Sequence, residues 1–170
     1  MASVTLKGNP VELSGELPQV GQPAPDFELT ANDLSTVRLS DDAGKVRIIS
    51  AIPSVDTPVC SIETKRFNTE VANLPEDVVF YTVSVDTPFA QKRWCGAEGV
   101  EKIKLLSDYK NNNKFGHDYG LYIASPLGAH ARAIFIVGKD DTIAYSQLVP
   151  EIAQEPDYDE VLAKARELSA

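Results

Sequence analysis

The sequence predicts a single α/β domain over residues 1–170, and three stretches predict it. The apolar run Val46 to Ile52 reads as a buried strand. Cys60 to Leu74 follows, with Cys60, Phe67, Val71 and Leu74 at helical spacing. The β-branched run Val78 to Val85 is then a second strong strand. Strand, helix and strand in that order make a right-handed crossover with a parallel pair. A chain of 170 residues can bury a core without staples, and 43% apolar with 24% charged residues is ordinary for a globular protein.

The elements follow in order. Val4-Thr5-Leu6 and Val11-Glu12-Leu13 flank Lys7-Gly8-Asn9-Pro10, which suggests an N-terminal hairpin. Gly15 to Pro25, rich in Gly and Pro, reads as an extended connector. Phe27 to Leu29 and Val37 to Leu39 are short strands about a polar turn at Ala31-Asn32-Asp33. After the crossover, Asp86-Thr87-Pro88 offers an N-cap and a proline at the first helical position. The helix it opens, Phe89 to Cys95, is expected to stop at Gly96. Lys104 to Leu106 is a further short strand, and Tyr109 to Gly120 is loop with one helical turn. Ala131 to Val137 and Thr142 to Gln147 pair as an antiparallel hairpin through Gly138-Lys139-Asp140-Asp141. Tyr158 to Leu168 closes the chain as a helix with Val161, Leu162, Ala165 and Leu168 on one face.

Charge and termini narrow the function classes. A net charge of −9 argues against general nucleic-acid binding and against docking on anionic membranes. The stretch MASVTLKGNPVELSG has neither the basic region nor the apolar core of a signal peptide, and no apolar run reaches membrane-spanning length. The expectation is a soluble, cytoplasmic protein.

The two cysteines, Cys60 and Cys95, carry the chemistry. Counting alone leaves three readings open: a disulfide, two unrelated core thiols, or a reactive pair. Context favours the last. Pro53-Ser54-Val55-Asp56-Thr57-Pro58-Val59-Cys60 runs as a proline-interrupted loop from a strand to a helix, with the cysteine where the helix begins. The free N–H groups and positive dipole end of a helix stabilise an anion there, and the thiolate is the reactive form of cysteine. Both cysteines follow strands of one crossover system, at the end of the sheet where open α/β folds place their sites. Asp56 is expected to face solvent, since an inward carboxylate would oppose the thiolate.

Cys60, Cys95, His117 and His130 show none of the short paired spacings of zinc sites, and no glycine-rich nucleotide motif follows a strand. No metal and no bound cofactor are expected, and both histidines read as loop or surface residues.

Several motifs resemble the peroxiredoxin family. Pro53, Thr57 and Cys60 stand at the spacing of its active-site pattern, and Gly21-Gln-Pro-Ala-Pro-Asp-Phe27 is similar to its entry segment. Gly8-Asn9-Pro10, Pro88-Phe89-Ala90-Gln91, Trp94-Cys95-Gly96-Ala97-Glu98-Gly99, Ala131-Arg132-Ala133 and Ser146-Gln147-Leu148-Val149 narrow the resemblance to the bacterial thiol peroxidases, an atypical two-cysteine subfamily. It covers nearly the whole chain.

The resemblance implies a thioredoxin-like fold, a central mixed sheet flanked by helices with an added N-terminal β-hairpin. It implies reduction of hydrogen peroxide and organic hydroperoxides by Cys60 as peroxidatic nucleophile. Cys95 would be the resolving thiol in the same subunit, closing a Cys60–Cys95 disulfide that thioredoxin reopens. Thr57 would donate to the thiolate and place the peroxide oxygen, Arg132 would supply the cation, and Pro53 would shield the sulfur from water. Taken alone, Thr57 is as well a helix-entry cap, Arg132 a surface or ion-pair residue, and Pro53 the end of a strand; their conjunction with Cys60 favours the functional reading. Lys92, Arg93 and Trp94 beside Cys95 either lower its pKa or solvate the helix. The subfamily also implies a homodimer packed near the active-site loops.

Two other readings compete. Simple thiol–disulfide exchange lacks the usual Cys-x-x-Cys pair. A redox-sensing module switched by a Cys60–Cys95 bridge would show no rapid peroxide turnover.

Overall fold

The computed structural model describes residues 3–110 and 112–170. Met1 and Ala2, which open the stretch read for a signal peptide, and Asn111, within the loop read at Tyr109–Gly120, lie outside the described residues.

The chain opens with β1 (Ser3–Leu6) and β2 (Asn9–Glu12), the expected hairpin. Its two central residues, Lys7 and Gly8, both take positive φ (50° and 85°), as a tight hairpin turn requires. Then come β3 (Glu28–Ala31), β4 (Thr36–Arg38), a short 3-10 turn at Leu39–Asp42, β5 (Val46–Ala51), α1 (Pro58–Val71), β6 (Val78–Ser84) and α2 (Pro88–Glu98). The second half holds β7 (Lys104–Ser107), α3 (Lys114–Asp118), β8 (Tyr122–Ile123), β9 (Ala129–His130), β10 (Ala133–Val137), β11 (Ile143–Leu148) and α4 (Tyr158–Ser169). Among the described residues no helix is long and apolar enough to cross a membrane.

Seven strands form one mixed sheet in the order β11-β10-β5-β6-β7-β3-β4. The middle three, β5, β6 and β7, run parallel, and the outer pairings are antiparallel. Every residue of β5 is buried because both faces of the sheet are covered. Ile49 and Ala51 point into a core shared with Leu29, Tyr81, Phe115 and Phe135. Val46 and Ile48 point the other way, to Phe67, Phe80, Trp94, Val161 and Leu162 of the core beneath α1, α2 and α4. Phe67 anchors that layer, its ring 4.7 Å from Phe80 and 5.0 Å from Tyr158.

Four details depart from the sequence reading. Helix α1 opens at Pro58, so Cys60 lies within its first turn. Helix α2 runs through Gly96 and ends at Gly99, whose φ of 68° supplies the left-handed cap. Its start is as expected, with Thr87 as N-cap before Pro88, the Thr87 hydroxyl accepting from Ala90 N at 3.2 Å. The two-residue strands β8 and β9 were not legible, since so short a pair has no periodicity. They carry His130 into the core, fully buried, where Nε2 meets Asp108 Oδ2 at 2.8 Å. His130 is therefore no surface residue; His117 is exposed.

The hairpin does more than cover the sheet. Thr5 N donates to Pro150 O and Ile152 N donates to Thr5 O, both at 2.8 Å. Glu151 accepts from Gly8 N at 2.8 Å. The N-terminus thus fixes the backbone at 150–152, which faces the site described next.

Candidate active site

The end of β5 and the start of α1 set the first cysteine. Pro53 is buried just beyond the strand, and Pro58 at N1 starts the helix with no N–H to leave unpaired. Cys60, two residues on, has no solvent exposure. The loop between is pinned from the neighbouring strand: Asp86 accepts from Ser54 Oγ at 2.7 Å, Val55 N at 2.9 Å and Ser84 Oγ at 2.6 Å. Ser107 Oγ donates to the Asp86 carbonyl at 2.5 Å. Gln91 of α2 reaches Ser84 Oγ and Leu106 O, each at 2.9 Å. One carboxylate therefore fastens the cysteine loop to β6, while the same network holds α2 and β7.

Arg132 comes to the sulfur from the segment just before β10. It is 1% exposed, and its Nη1 donates to Cys60 Sγ at 3.2 Å and to Glu63 Oε2 at 3.0 Å. Nε and Nη2 both donate to Ile152 O, at 3.0 and 2.8 Å. That carbonyl belongs to the segment the N-terminal hairpin fixes, so the guanidinium is held from both sides. Glu63 stands three residues after Cys60 on the same face of α1. Burial pushes its carboxyl up to about 7, against the pull of Arg132. Its Oε1 has no partner among the described residues.

The hydroxyl of Thr57 donates to Ser54 O at 3.1 Å rather than to the sulfur, and makes no side-chain cap bond. Its carbonyl accepts from Ser61 N at 3.0 Å, so it caps the helix by backbone. Asp56 is exposed and pairs with Arg93 Nη2 at 3.1 Å, away from the thiol as expected.

Cys95 is a half-buried free thiol on α2. Burial raises its pKa, and a bond from Asn32 Nδ2 at 3.7 Å opposes that rise. Of the cations beside it, Arg93 is turned to Asp56. Among the described residues no three His, Cys, Asp or Glu side chains group as a metal site.

Comparison with known proteins fits this geometry. Residues 19–162 match the Redoxin family. A thiol peroxidase of Halalkalibacterium halodurans is 48% identical over 166 residues, 98% of each chain. One of Bacillus subtilis is 45% identical over 168 residues, 99% of each. The chain belongs to the thiol peroxidases of the Redoxin family. A crystal structure of a peroxiredoxin-like protein from Aquifex aeolicus superposes with a TM-score of 0.93 at 42% identity, covering 99% of this chain and 98% of that one. The mixed sheet with its flanking helices and N-terminal hairpin is the thioredoxin-like fold of that family.

Set in a thiol peroxidase frame, the sequence reading named Cys60, Cys95, Arg132, Thr57 and Pro53 as candidates and did not foresee what holds them. The structure brings Arg132 to Cys60; Pro53 and Thr57 flank the loop. Glu63, Asp86, Asn32 and the Ile152 carbonyl were not foreseen. Glu63 alone left a signal, an acid one helical turn from the cysteine on its own face. The others act across long sequence separations, which no local pattern records.

Proposed function

We propose that Cys60 is the peroxidatic nucleophile and Cys95 the resolving thiol of a thiol-dependent peroxidase. One observation carries the reading: a fully buried guanidinium donating at once to the Cys60 sulfur and to Glu63. In the first step the Cys60 thiolate attacks one peroxide oxygen. The S–O bond forms as the O–O bond breaks, and the departing oxygen takes a proton to leave as water or an alcohol. Arg132 stabilises the charge that develops on those oxygens in a site closed to water. Thr57, whose hydroxyl oxygen keeps its lone pairs for accepting, orients the peroxide proton. Pro53 walls the sulfur off from solvent.

The sulfenic acid of Cys60 then meets the Cys95 thiol. The S–S bond forms, the S–O bond breaks, and the hydroxyl leaves with the thiol proton as water. A dithiol reductant reopens the bridge, and thioredoxin is the reductant we propose. Two cysteines without a disulfide framework suit the reducing cytoplasm.

A homodimer near the site is supported by exposed apolar side chains that follow three neighbouring strands: Ile62 after β5, Phe89 after β6 and Tyr109 after β7. The cysteine roles are tested by substitution and peroxide consumption. Cys60→Ser is expected to abolish turnover. Cys95→Ser is expected to react once and stall as sulfenic or more oxidised Cys60; full turnover in either variant contradicts the assignment.

A further inference from the structure

The β3–β4 turn reaches across the sheet to touch the second thiol. Asn32 Nδ2 donates to Cys95 Sγ at 3.7 Å, while Asn32 Oδ1 is buried with no partner among the described residues. A buried carbonyl left unpaired is costly, so the amide is turned toward the sulfur at some expense to its other end. The turn carrying it is stiff. Ala31 N bonds Ser35 O and Leu34 N bonds Ala31 O, both at 2.9 Å. Asp33 Oδ1 accepts from Ser35 N at 3.0 Å and Ser35 Oγ at 2.5 Å. Leu34 accepts a left-handed φ of 70° to close it. Asp33, held below the ordinary carboxylate range mainly by Ser35, also feels Lys92 of α2.

We infer that Asn32 is a positioning residue for the resolving step: its amide holds reduced Cys95 within the folded helix and must let go before Cys95 reaches Cys60. The inference rests on Cys95 being the resolving thiol. Cys60 opens the helix after β5, whereas Asn32 follows β3, and β6 and β7 lie between those strands. Three strand spacings of about 4.8 Å make that separation on the order of 14 Å. Cysteines that bridge have Cα atoms within about 7 Å. Sulfur anchored at Asn32 thus has to leave it. The other tie between the two segments, Arg93 to Asp56, is exposed at both ends and screened by salt. The Asn32 contact is partly buried and keeps its strength. The lifetime of the Cys60 sulfenic acid, and with it the chance that a second peroxide drives it to sulfinic acid, then depends on how readily Asn32 releases Cys95.

Stopped-flow fluorescence of Trp94, adjoining Cys95, tests this on the full-length reduced protein with hydrogen peroxide. The first phase scales with peroxide concentration and the second does not. In Asn32→Ala the second phase is expected to quicken by about three- to tenfold, the scale of one lost hydrogen bond, with the first phase unchanged. The equilibrium with dithiothreitol should move toward the disulfide by a similar factor, and the peroxide dose for half-inactivation should rise. Asn32→Leu keeps the size, lacks the donor without adding a charge and should behave alike, which guards against a folding defect in the alanine variant. A second phase and a thiol–disulfide equilibrium equal to the parent's in both variants, or a slower second phase, overturn the inference while leaving the resolving role of Cys95 intact. Absence of any Cys60–Cys95 peptide after peroxide treatment of the parent protein overturns both.

Discussion

Arg132 directs its guanidinium to three acceptors at once: the Cys60 sulfur, the Glu63 carboxylate and the Ile152 carbonyl. A planar fork does this and a lysine cannot, so the arginine is matched to its place in geometry as well as in charge. Replacing Arg132 by Ala is expected to slow the first, peroxide-dependent phase on the order of 10²–10³-fold, as for loss of an oxyanion-type donor. Rapid-mixing kinetics check it, and a parent-like first phase contradicts the role. Glu63 gives a pH signature. Its carboxyl titrates near 7 folded and near 4.5 unfolded, so between those values the folded chain holds a proton the unfolded chain has released. This contribution to stability is fully present below about pH 4.5 and is lost as pH rises through 7, at a slope of about 1 kcal/mol per pH unit. Urea titrations across that window should show the slope in the parent and its absence in Glu63→Gln. Cys60 was legible because a helix start after a proline loop is a local pattern. The buried acid was harder to see, because most helical glutamates face water.

At the level of elements, the loop Ile52 to Thr57 owes its course to Asp86, two residues beyond the neighbouring strand β6. Asp86→Ala removes three accepted hydrogen bonds and leaves Val55 N without its partner. A loss of about 2–3 kcal/mol in unfolding free energy is expected, with a fall in kcat/KM as the loop drifts. Denaturant titration and peroxidase assay read the two effects separately. The strong strands and α1 were legible because their apolar runs are long. The end of α2 was misplaced because Gly96 and Gly99 both offer a stop, and only the left-handed φ at Gly99 separates them. The start of α2 was legible, because a capping residue directly before a proline is a local pattern, and Thr87 caps it with Pro88 as the first helical residue. The pair β8–β9 was missed, and His130 was misjudged with it.

For the molecule as a whole, three parallel strands deliver the Cys60 loop, Asp86 and the start of α2 to one end of the sheet, while Cys95, farther along α2, meets Asn32 beside the start of β7. The crossover order predicted that delivery, because its handedness and strand pairing are general. The docking of the N-terminal hairpin on residues 150–152 was not predictable from pattern, since its contacts span nearly the whole chain. The same end of the sheet exposes Ile62, Phe89 and Tyr109. If a second copy covers them, Phe89→Glu should convert a dimer to a monomer in sedimentation velocity. A parent that sediments as a monomer contradicts the proposed dimer.

The most direct test of the central claim is to count thiols in the reduced protein before and after one equivalent of hydrogen peroxide, with non-reducing electrophoresis alongside. Loss of both Cys60 and Cys95 thiols within seconds, with no disulfide-linked dimer on the gel, is the predicted result. Retention of both thiols over minutes would contradict it and leave Cys60 as a buried core residue.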